Sequence, residues 1–493
     1  MRSTNPLEII TQALERRPGV SDWQVQRTIK RSVQLFQIGS KTEARRLVST
    51  DQVQITVYND HPPHNQAGLM AAGGAGRVPE EGHRGSQAPS GDFNRCFGSN
   101  DSVGMAGTTT PLARGASSRI LLVEEIMDQA RLERDLEEAV FIAGLTDNPP
   151  YSLPEPPING FPIVETTDSL LAGSDDARLK VLETLRERLL AAIASEPNIH
   201  LSSAEWFATI SEIRLCNSRG ILAGRSETEI SCDLVLLASN DEQIAEYHTA
   251  PQRRRLADLD IEGIVHRSAR YARDSLRANL TSTHRGPVVI SGEALVDLFA
   301  PLIFHSSAQA AYQSMSRFAL GCPICGEQEV QGDRLTLISN ALLPYGQASM
   351  PFSEEGLPGE RLVVIKDHQL QAWWAGQRYA DYLNIRPTGS FANIEIPPGT
   401  HPMQDLLDGT GPIYQLVAFS WLNPDELTGD FVAEIKLGYR LGHGHITPIK
   451  GGSLSGNLFG ALAAARFSQE MQFTGGYLGP AATRFEWSSI SGD

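Results

Sequence analysis

Thr428 to Asn457 reads TGDFVAEIKLGYRLGHGHITPIKGGSLSGN, and the C-terminal half of the fold turns on how this stretch is read. A Gly-Asp-Phe opening leads into a strand in which half of the residues are apolar. A glycine turn follows, and then a Pro-Ile segment that runs into Gly451, Gly452 and Gly456. Gly451, Gly452, Gly456 and Asn457 can take a positive φ or a close backbone approach at little cost. The residues after them, LFGALAAARFSQ, are rich in Ala and Leu and predict a packed helix. A strand passing through a glycine-rich turn to a helix start is a place to present backbone N–H groups. The same residues also describe a plain hairpin and a helix start.

Working outward, 493 residues leave room for about two to four domains. Apolar and charged contents of 41% and 20% are those of a soluble globular protein with a large core. A net charge of −16 argues against a general nucleic-acid or membrane-surface binder, because phosphate affinity comes from clustered Lys and Arg. The N-terminal residues lack an apolar core of signal-peptide length, and no run approaches the ~20 apolar residues of a membrane span. Five cysteines, odd and sparse, fit a reducing compartment, so the expected location is the cytoplasm.

In chain order, Pro6 to Arg17 predicts a short amphipathic helix, and Trp23 to Tyr58 alternates like successive strands. His61 to Arg119 is crowded with Gly, Pro, Ser, Asn and Thr and reads as a long loop, with His61, His64 and His83 as ordinary polar members. Ile120 to Gly144 predicts a long amphipathic helix, stopped by the proline linker that begins at Asn148. A helix over Asp176 to Ser195 and strands over Ile199–Thr209, Ile210–Cys216 and Thr228–Ala238 follow, with a turn at Asn217 to Gly220. Another helix, Leu259 to Leu280, completes a layer of strands covered by helices. Pro287–Ile290 is a compact apolar strand, Gly292 to Tyr312 is helical, and the chain beyond Gly332 is β-rich with many turns. The expected fold class is therefore α+β. Its three parts are an N-terminal strand-helix region (1–146, with the loop at 61–119), a middle α+β layer (147–283) and a β-rich C-terminal domain (284–493).

Several segments occur in the order, and at about the spacings, of the TldD/PmbA family, whose PmbA branch is also called TldE. They are NPPYSLPEPP, LCNSRG, GPVVISGEALVDLF, PFSEEGLPGERLVVIKDHQL, RPTG, TGDF and PIKGGSLSGNLFGAL. The chain resembles that family over nearly its whole length and departs most at the Gly/Ser-rich stretch. The resemblance implies a three-part architecture, a dimer, and a place in peptide degradation by a zinc metallopeptidase complex in which TldD-type subunits carry the metal and PmbA/TldE-type subunits pair with them.

The TldD-type zinc motif is His-Glu-x-x-x-His on a helix, with a cysteine near the C-terminus; two imidazoles hold zinc and the Glu activates water. Aligned without gaps, the corresponding stretch is Ala300-Pro-Leu-Ile-Phe-His305. Ala300 stands at the first ligand and Pro301 at the base, leaving His305 alone. EMQFTGGYLGPAATRFEW holds no cysteine. The expectation is a PmbA/TldE-like subunit with no catalytic residue, no metal and no cofactor of its own, zinc being held by a TldD-type partner.

Two further groupings carry chemistry. Cys322-Pro-Ile-Cys325 has the spacing of half a zinc site or a redox pair, but no second ligand pair follows, so free structural thiols are expected. His443-Gly-His445 puts two imidazoles on one side of a strand. With His305 they are the material for an atypical metallohydrolase site. The expected partners are a TldD-type subunit, or a second copy of this chain, and extended or unfolded peptides. No nucleic acid or membrane is expected. The expected substrate cavity draws on His305, Gly429, Asp430, His443, His445, Gly451, Gly452 and Asn457, with a peptide adding to the edge of the Thr428–Lys450 strands. A homodimeric peptide-binding scaffold without a hydrolytic partner is the alternative.

Overall fold

Residues 5–64, 112–240, 242–292, 294–442 and 444–492 are described in a computed structural model of the chain. They divide into two units, Met1–Val25 with Gln54–Ser152, and Gln26–Val53 with Leu153–Asp493. The fold class is α+β, as the sequence predicts. No helix among the described residues is long and apolar enough to cross a membrane.

In the first unit, helix α1 (Pro6–Glu15) is capped by the Asn5 side chain, which accepts the Leu7 N–H, and it buries Leu7, Ile10 and Leu14. Strands β1 (Asp22–Ile38) and β2 (Lys41–His61) contribute one end each, and β3 (Ala113–Leu122) lies beside β2. A short helix α2 (Val123–Ile126) leads to α3 (Gln129–Ala143), which is capped by Asp128 and buries Leu132, Leu136 and Ala139. The loop expected up to Arg119 and the helix expected from Ile120 are thus both displaced. β2 runs to His61, Ala113–Leu122 is a strand, and helix begins only at Val123. The small residues of β3 hid it, and Gly115 has a packing reason: a Cβ there would stand 1.6 Å from the Ala143 carbonyl oxygen. The rest of that loop, residues 65–111 with His83, lies outside the described residues.

Arg114 on β3 is buried and ion-paired with buried Asp22. It donates to the Tyr151 carbonyl at 2.6 Å. Its guanidinium lies 4.9 and 5.3 Å from the ring centres of Tyr58 and Tyr151.

The second unit opens with α4 (Asp175–Ala194), β4 (Ile199–Asn217), β5 (Leu222–Ser239), β6 (Ile244–Thr249), β7 (Gln252–Arg253) and α5 (Ile261–Leu276). The strands form a sheet in the order β1-β4-β5-β6. β4 is one continuous strand where two were expected, and it pairs with β5 from Cys216↔Leu222 to Ile199↔Ala238. Asn217 makes the turn between them by accepting the N–H groups of Arg219 and Ile221, each at 3.0 Å. Leu182, Leu185 and Leu189 of α4 pack with Ala204, Trp206 and Leu234 of the sheet.

The remaining elements are β8 (Asn279–Leu280), β9 (His284–Ser291), α6 (Ala294–Leu298), α7 (Ala300–His305), α8 (Ala308–Tyr312), β10 (Leu337–Asn340), β11 (Arg361–Lys366), β12 (Gln369–Leu370), α9 (Gln377–Leu383), β13 (Asn393–Glu395), α10 (Met403–Leu406), β14 (Ile413–Pro424), β15 (Asp430–Gly442), β16 (His445–Lys450), β17 (Ser453–Asn457), α11 (Leu458–Leu462), β18 (Arg466–Phe467), β19 (Met471–Thr474), β20 (Tyr477–Pro480) and β21 (Ala482–Ser491). A six-stranded sheet runs β12-β11-β10-β13-β20-β19. A second sheet closes on itself. β14 pairs with β9, β9 with β21, β21 with β17, β17 with β15, and β15 again with β14. Alternate residues of this ring enter one core, among them Val288 and Ile290, Tyr414 and Leu416, and Phe431, Ala433 and Ile435.

β16 and β17 are one return strand along β15, in the same register on either side of Gly451-Gly452, since Ile449 faces Gly438 and Ser453 faces Glu434. Both glycines have positive φ, 73° and 75°. They make a kink between two strands, whereas the sequence offered a turn before a helix. Beyond the kink the strand's outer edge changes partner, from β8 on β16 to β21 on β17.

Two substitutions test these contacts. Arg114→Ala removes a buried ion pair with Asp22 and the stacking on Tyr58 and Tyr151, and should lower stability by about 3–5 kcal/mol in chemical denaturation. Gly452→Val strains a φ of 75° and puts a Cβ 2.6 Å from the Ser491 carbonyl oxygen. It should cost at least ~1–2 kcal/mol; a melting temperature equal to that of the unsubstituted chain would contradict the packing described.

Candidate functional site

The stretch that aligns with the zinc motif, Ala300–His305, is α7 by itself, and the single helix expected over Gly292 to Tyr312 is broken into α6, α7 and α8. Phe299, at φ −85° and ψ 0°, separates α6 from α7, and Pro301 sits in the first turn of α7, where its missing N–H costs nothing. α7 ends at His305, and α8 starts after Ser306 and Ser307. The proline therefore starts a short helix instead of kinking a long one.

His305 is 1% exposed. Phe304, Phe318 and Phe459 surround it, with ring centres 5.1 to 5.4 Å away. The Arg317 N–H donates to its Nδ1 at 3.2 Å, so the proton is on Nε2, which donates to the Leu427 carbonyl at 2.9 Å. Burial lowers its pKa below the usual imidazole value, the Leu427 hydrogen bond opposes this, and the Arg317 charge adds to the lowering. Neither nitrogen has a lone pair free for a metal. His305 is a core residue.

The carbonyl that His305 reaches belongs to a turn from Asp425 to Asp430, where the Asp425 carboxylate accepts the N–H groups of Leu427 and Thr428 at 2.9 and 2.8 Å. Gly429 is buried in this turn with φ 74°, and a Cβ on it would stand 2.3 Å from the Phe459 ring. The Asn457 side chain donates to the Thr428 carbonyl and to the Asp430 carboxylate, and accepts the Gly460 N–H at the start of α11. Four of the expected cavity residues, His305, Gly429, Asp430 and Asn457, are thus brought together, as a hydrogen-bonded bracket around Phe459.

The others lie elsewhere. His445 is exposed and faces Gly442, while Asn457 faces Asp430. They are at opposite ends of the 13-residue β15, roughly 40 Å apart along the strand. His305 and His445 therefore do not share a metal site; His443 lies outside the described residues. Gly452 borders a cleft of about 290 Å³ with Leu280, Thr281, Ser491 and Gly492. Gly451 is beside Leu280. Of the Thr428–Lys450 strands, β15 offers no free edge to a peptide, because β14 holds one side and β16 with β17 the other.

Neither Cys322 nor Cys325 is in a disulfide. Cys325 is buried, and burial pushes its thiol up to about 11, the opposite of a reactive cysteine.

One grouping was not singled out from the sequence. The half-buried Glu355, in the turn of PFSEEGLPG, accepts the Gln377 N–H at 2.8 Å where α9 begins. Burial raises its pKa. Arg378 lies over the rings of Tyr379 and Tyr382, at 5.4 and 5.5 Å, and Tyr312 stands 4.9 Å from Tyr382. Paired acids in a glycine-proline turn were the available signal; the tyrosines come from α8 and α9, far apart in sequence. Tyr312 is exposed, so the tyrosine cluster presents aromatic faces at the surface.

Residues 283–492 match the family model described as the PmbA/TldA metallopeptidase C-terminal domain. The metalloprotease PmbA of Escherichia coli O157:H7 is 29% identical over 179 residues, 36% of this chain and 39% of that protein. A metalloprotease of Synechocystis is 25% identical over 364 residues, 68% of this chain and 74% of that one. The crystal structure of TldE from Thermococcus kodakarensis shares the fold, with a TM-score of 0.74 at 15% identity, over 99% of this chain and 100% of that one.

His305→Ala removes its hydrogen bonds to the Leu427 carbonyl and the Arg317 N–H, each worth about 0.5–1.5 kcal/mol, and takes a packing partner from Phe304, Phe318 and Phe459, so it should lower stability. His368 is held in the same neutral form by the Leu335 N–H at 2.8 Å and the Leu462 carbonyl at 3.2 Å, and its pKa is also lowered by burial. The folded chain binds fewer protons at these sites than the unfolded chain. Their contribution is complete above the ordinary imidazole pKa of 6.5 and is lost as pH falls through the lower folded values. Melting temperature followed from pH 7.5 to 5 should fall, and less steeply in His368→Gln; equal slopes would contradict the assignment.

Proposed function

We propose that this chain, which belongs to the TldD/PmbA family through residues 283–492, is the PmbA/TldE-like subunit of a cytoplasmic peptidase complex and contributes no hydrolytic centre of its own. A TldD-type partner carries the zinc and cleaves unfolded peptides in a cavity that the two chains share. The observation that carries this reading is the state of His305. It is the one imidazole left at the zinc-motif positions, and a backbone N–H and a backbone carbonyl occupy its two nitrogens. Ala300 offers no ligand atom, and Pro301 has no acid–base group to activate water. Recruiting His305 to a metal would have to break its bond to the Leu427 carbonyl in the Asp425–Asp430 bracket.

Pairing, rather than strand addition on β15, is then the route to a peptide groove. The Tyr312–Tyr379–Tyr382 cluster fits the recognition side of that role, since aromatic faces accept many side chains with little sequence preference.

The test is co-expression with a chain bearing His-Glu-x-x-x-His. Cleavage of an unfolded peptide should require both chains, and a substitution of the partner's Glu should abolish it. Activity of this chain alone that is lost on chelation and restored by zinc would sink the reading. A folded chain that captures no such partner and binds peptides as a homodimer would favour a scaffold instead.

A further inference from the structure

We infer that His61, His64 and Asp147 form a binding site for one divalent transition-metal ion, with Zn²⁺ as the representative. None of the three aligns with the zinc motif, and the sequence placed both histidines in a loop. In the first unit they converge from two segments, the end of β2 and the residues that follow α3. Their ligating atoms all lie within 4.8 Å of one another, and among the described residues no other three His, Cys, Asp or Glu side chains do so.

The distances fit an ion. Asp147 Oδ1 is 3.0 Å from His64 Nδ1 and 3.8 Å from His61 Nδ1. A tetrahedral zinc with ligands at ~2.0–2.1 Å holds its donor atoms about 3.3 Å apart, so these separations bracket the requirement. Two imidazoles and one carboxylate are a donor set of borderline softness, suited to Zn²⁺, Co²⁺ or Ni²⁺ and poorly suited to Mg²⁺ or Ca²⁺.

The surroundings are those that a metal site needs. Pro62 and Pro63 separate the two histidines and fix φ at both intervening positions, so little chain entropy remains to be lost on binding. His61 Nε2 lies 3.3 Å from the Thr146 carbonyl. Donation there puts the proton on Nε2 and leaves Nδ1, on the Asp147 side, as the ligand. Nδ1 also lies 2.9 Å from the Pro62 carbonyl, a contact that coordination replaces. Asp147 Oδ2 accepts the His64 backbone N–H at 2.9 Å, which orients the carboxylate. The next residue, Asn148, exchanges backbone hydrogen bonds with Arg114 at 2.8 and 3.3 Å. The side chains are graded in exposure, His61 14%, Asp147 30% and His64 58%, so one face is shielded and the other is open to water or a further ligand. Two other surface histidines pair with carboxylates, His248 with Asp233 and His266 with Glu196, but each has only one imidazole. They are internal controls.

The full chain, stripped with chelator and dialysed, is titrated with Co²⁺ followed by visible absorption and with Zn²⁺ followed by calorimetry. One ion per chain is expected, with d–d bands of a four- or five-coordinate site. His64→Asn and Asp147→Asn should each weaken binding at least tenfold, while His266→Asn changes nothing. Circular dichroism and melting of the metal-free variants separate lost ligation from lost folding. No binding by the unsubstituted chain up to about millimolar metal would overturn the inference. So would affinity and stoichiometry unchanged in the folded His64 and Asp147 variants, which would leave the trio a hydrogen-bonded contact and place any bound metal elsewhere.

Discussion

The C-terminal architecture depends on two consecutive glycines in the left-handed region. Gly451 and Gly452 hold φ at 73° and 75°, which costs any other residue roughly 1–2 kcal/mol at each position. Their hydrogen bonds to Ile435, at 2.8 and 3.1 Å, keep the return strand in register with β15 through the kink. On one side of the kink the strand faces β21 and belongs to the closed ring; on the other it faces β8. A straight strand would keep one outer neighbour along its whole length. The ring in turn collects the inward side chains of five strands into the core that also holds Leu298, Leu302 and Phe459.

That core decides the chemistry available near His305. A metal-binding helix must present imidazoles on one face toward an open cavity. Here the helical stretch is broken at Phe299, its last residue is packed among three aromatic rings, and both imidazole nitrogens are used by the backbone. Recruiting His305 to a metal would strip the Leu427 carbonyl of its donor and open the Asp425–Asp430 turn. The neutral, hydrogen-bonded histidine is a structural brace, and the same logic recurs at His368 in the β11–β12 turn.

Where periodicity is strong, the sequence is readable. The β4–β5 hairpin, its Asn217 turn and the helix at Asp175–Ala194 follow from alternation, a turn residue and helical spacing. β3 escaped because Ala-Arg-Gly-Ala-Ser-Ser has the composition of a loop; its strand is imposed by pairing and by the close approach of Gly115 to Ala143. The site was half legible. The loss of the zinc motif can be read from Ala300 and Pro301 alone, and the positive φ at Gly429, Gly451 and Gly452 matches the freedom that glycine offers. That His305 points into a core, and that His445 lies a strand's length away from it, are consequences of topology that no local pattern encodes. The convergence of His61 and His64 with Asp147 is of the same kind, a long-range contact between residues that look like loop and linker.

The state of His305 can be observed directly. In ¹⁵N-histidine-labelled protein, the long-range ¹H–¹⁵N correlations of its ring report the tautomer and any metal ligation. A neutral ring protonated on Nε2, with shifts that do not move when Zn²⁺ is added, is the result expected of a brace. Stoichiometric movement of its Nδ1 or Nε2 resonance with Zn²⁺, reversed by chelator, would show that His305 is a ligand and that the chain carries a metal centre there after all.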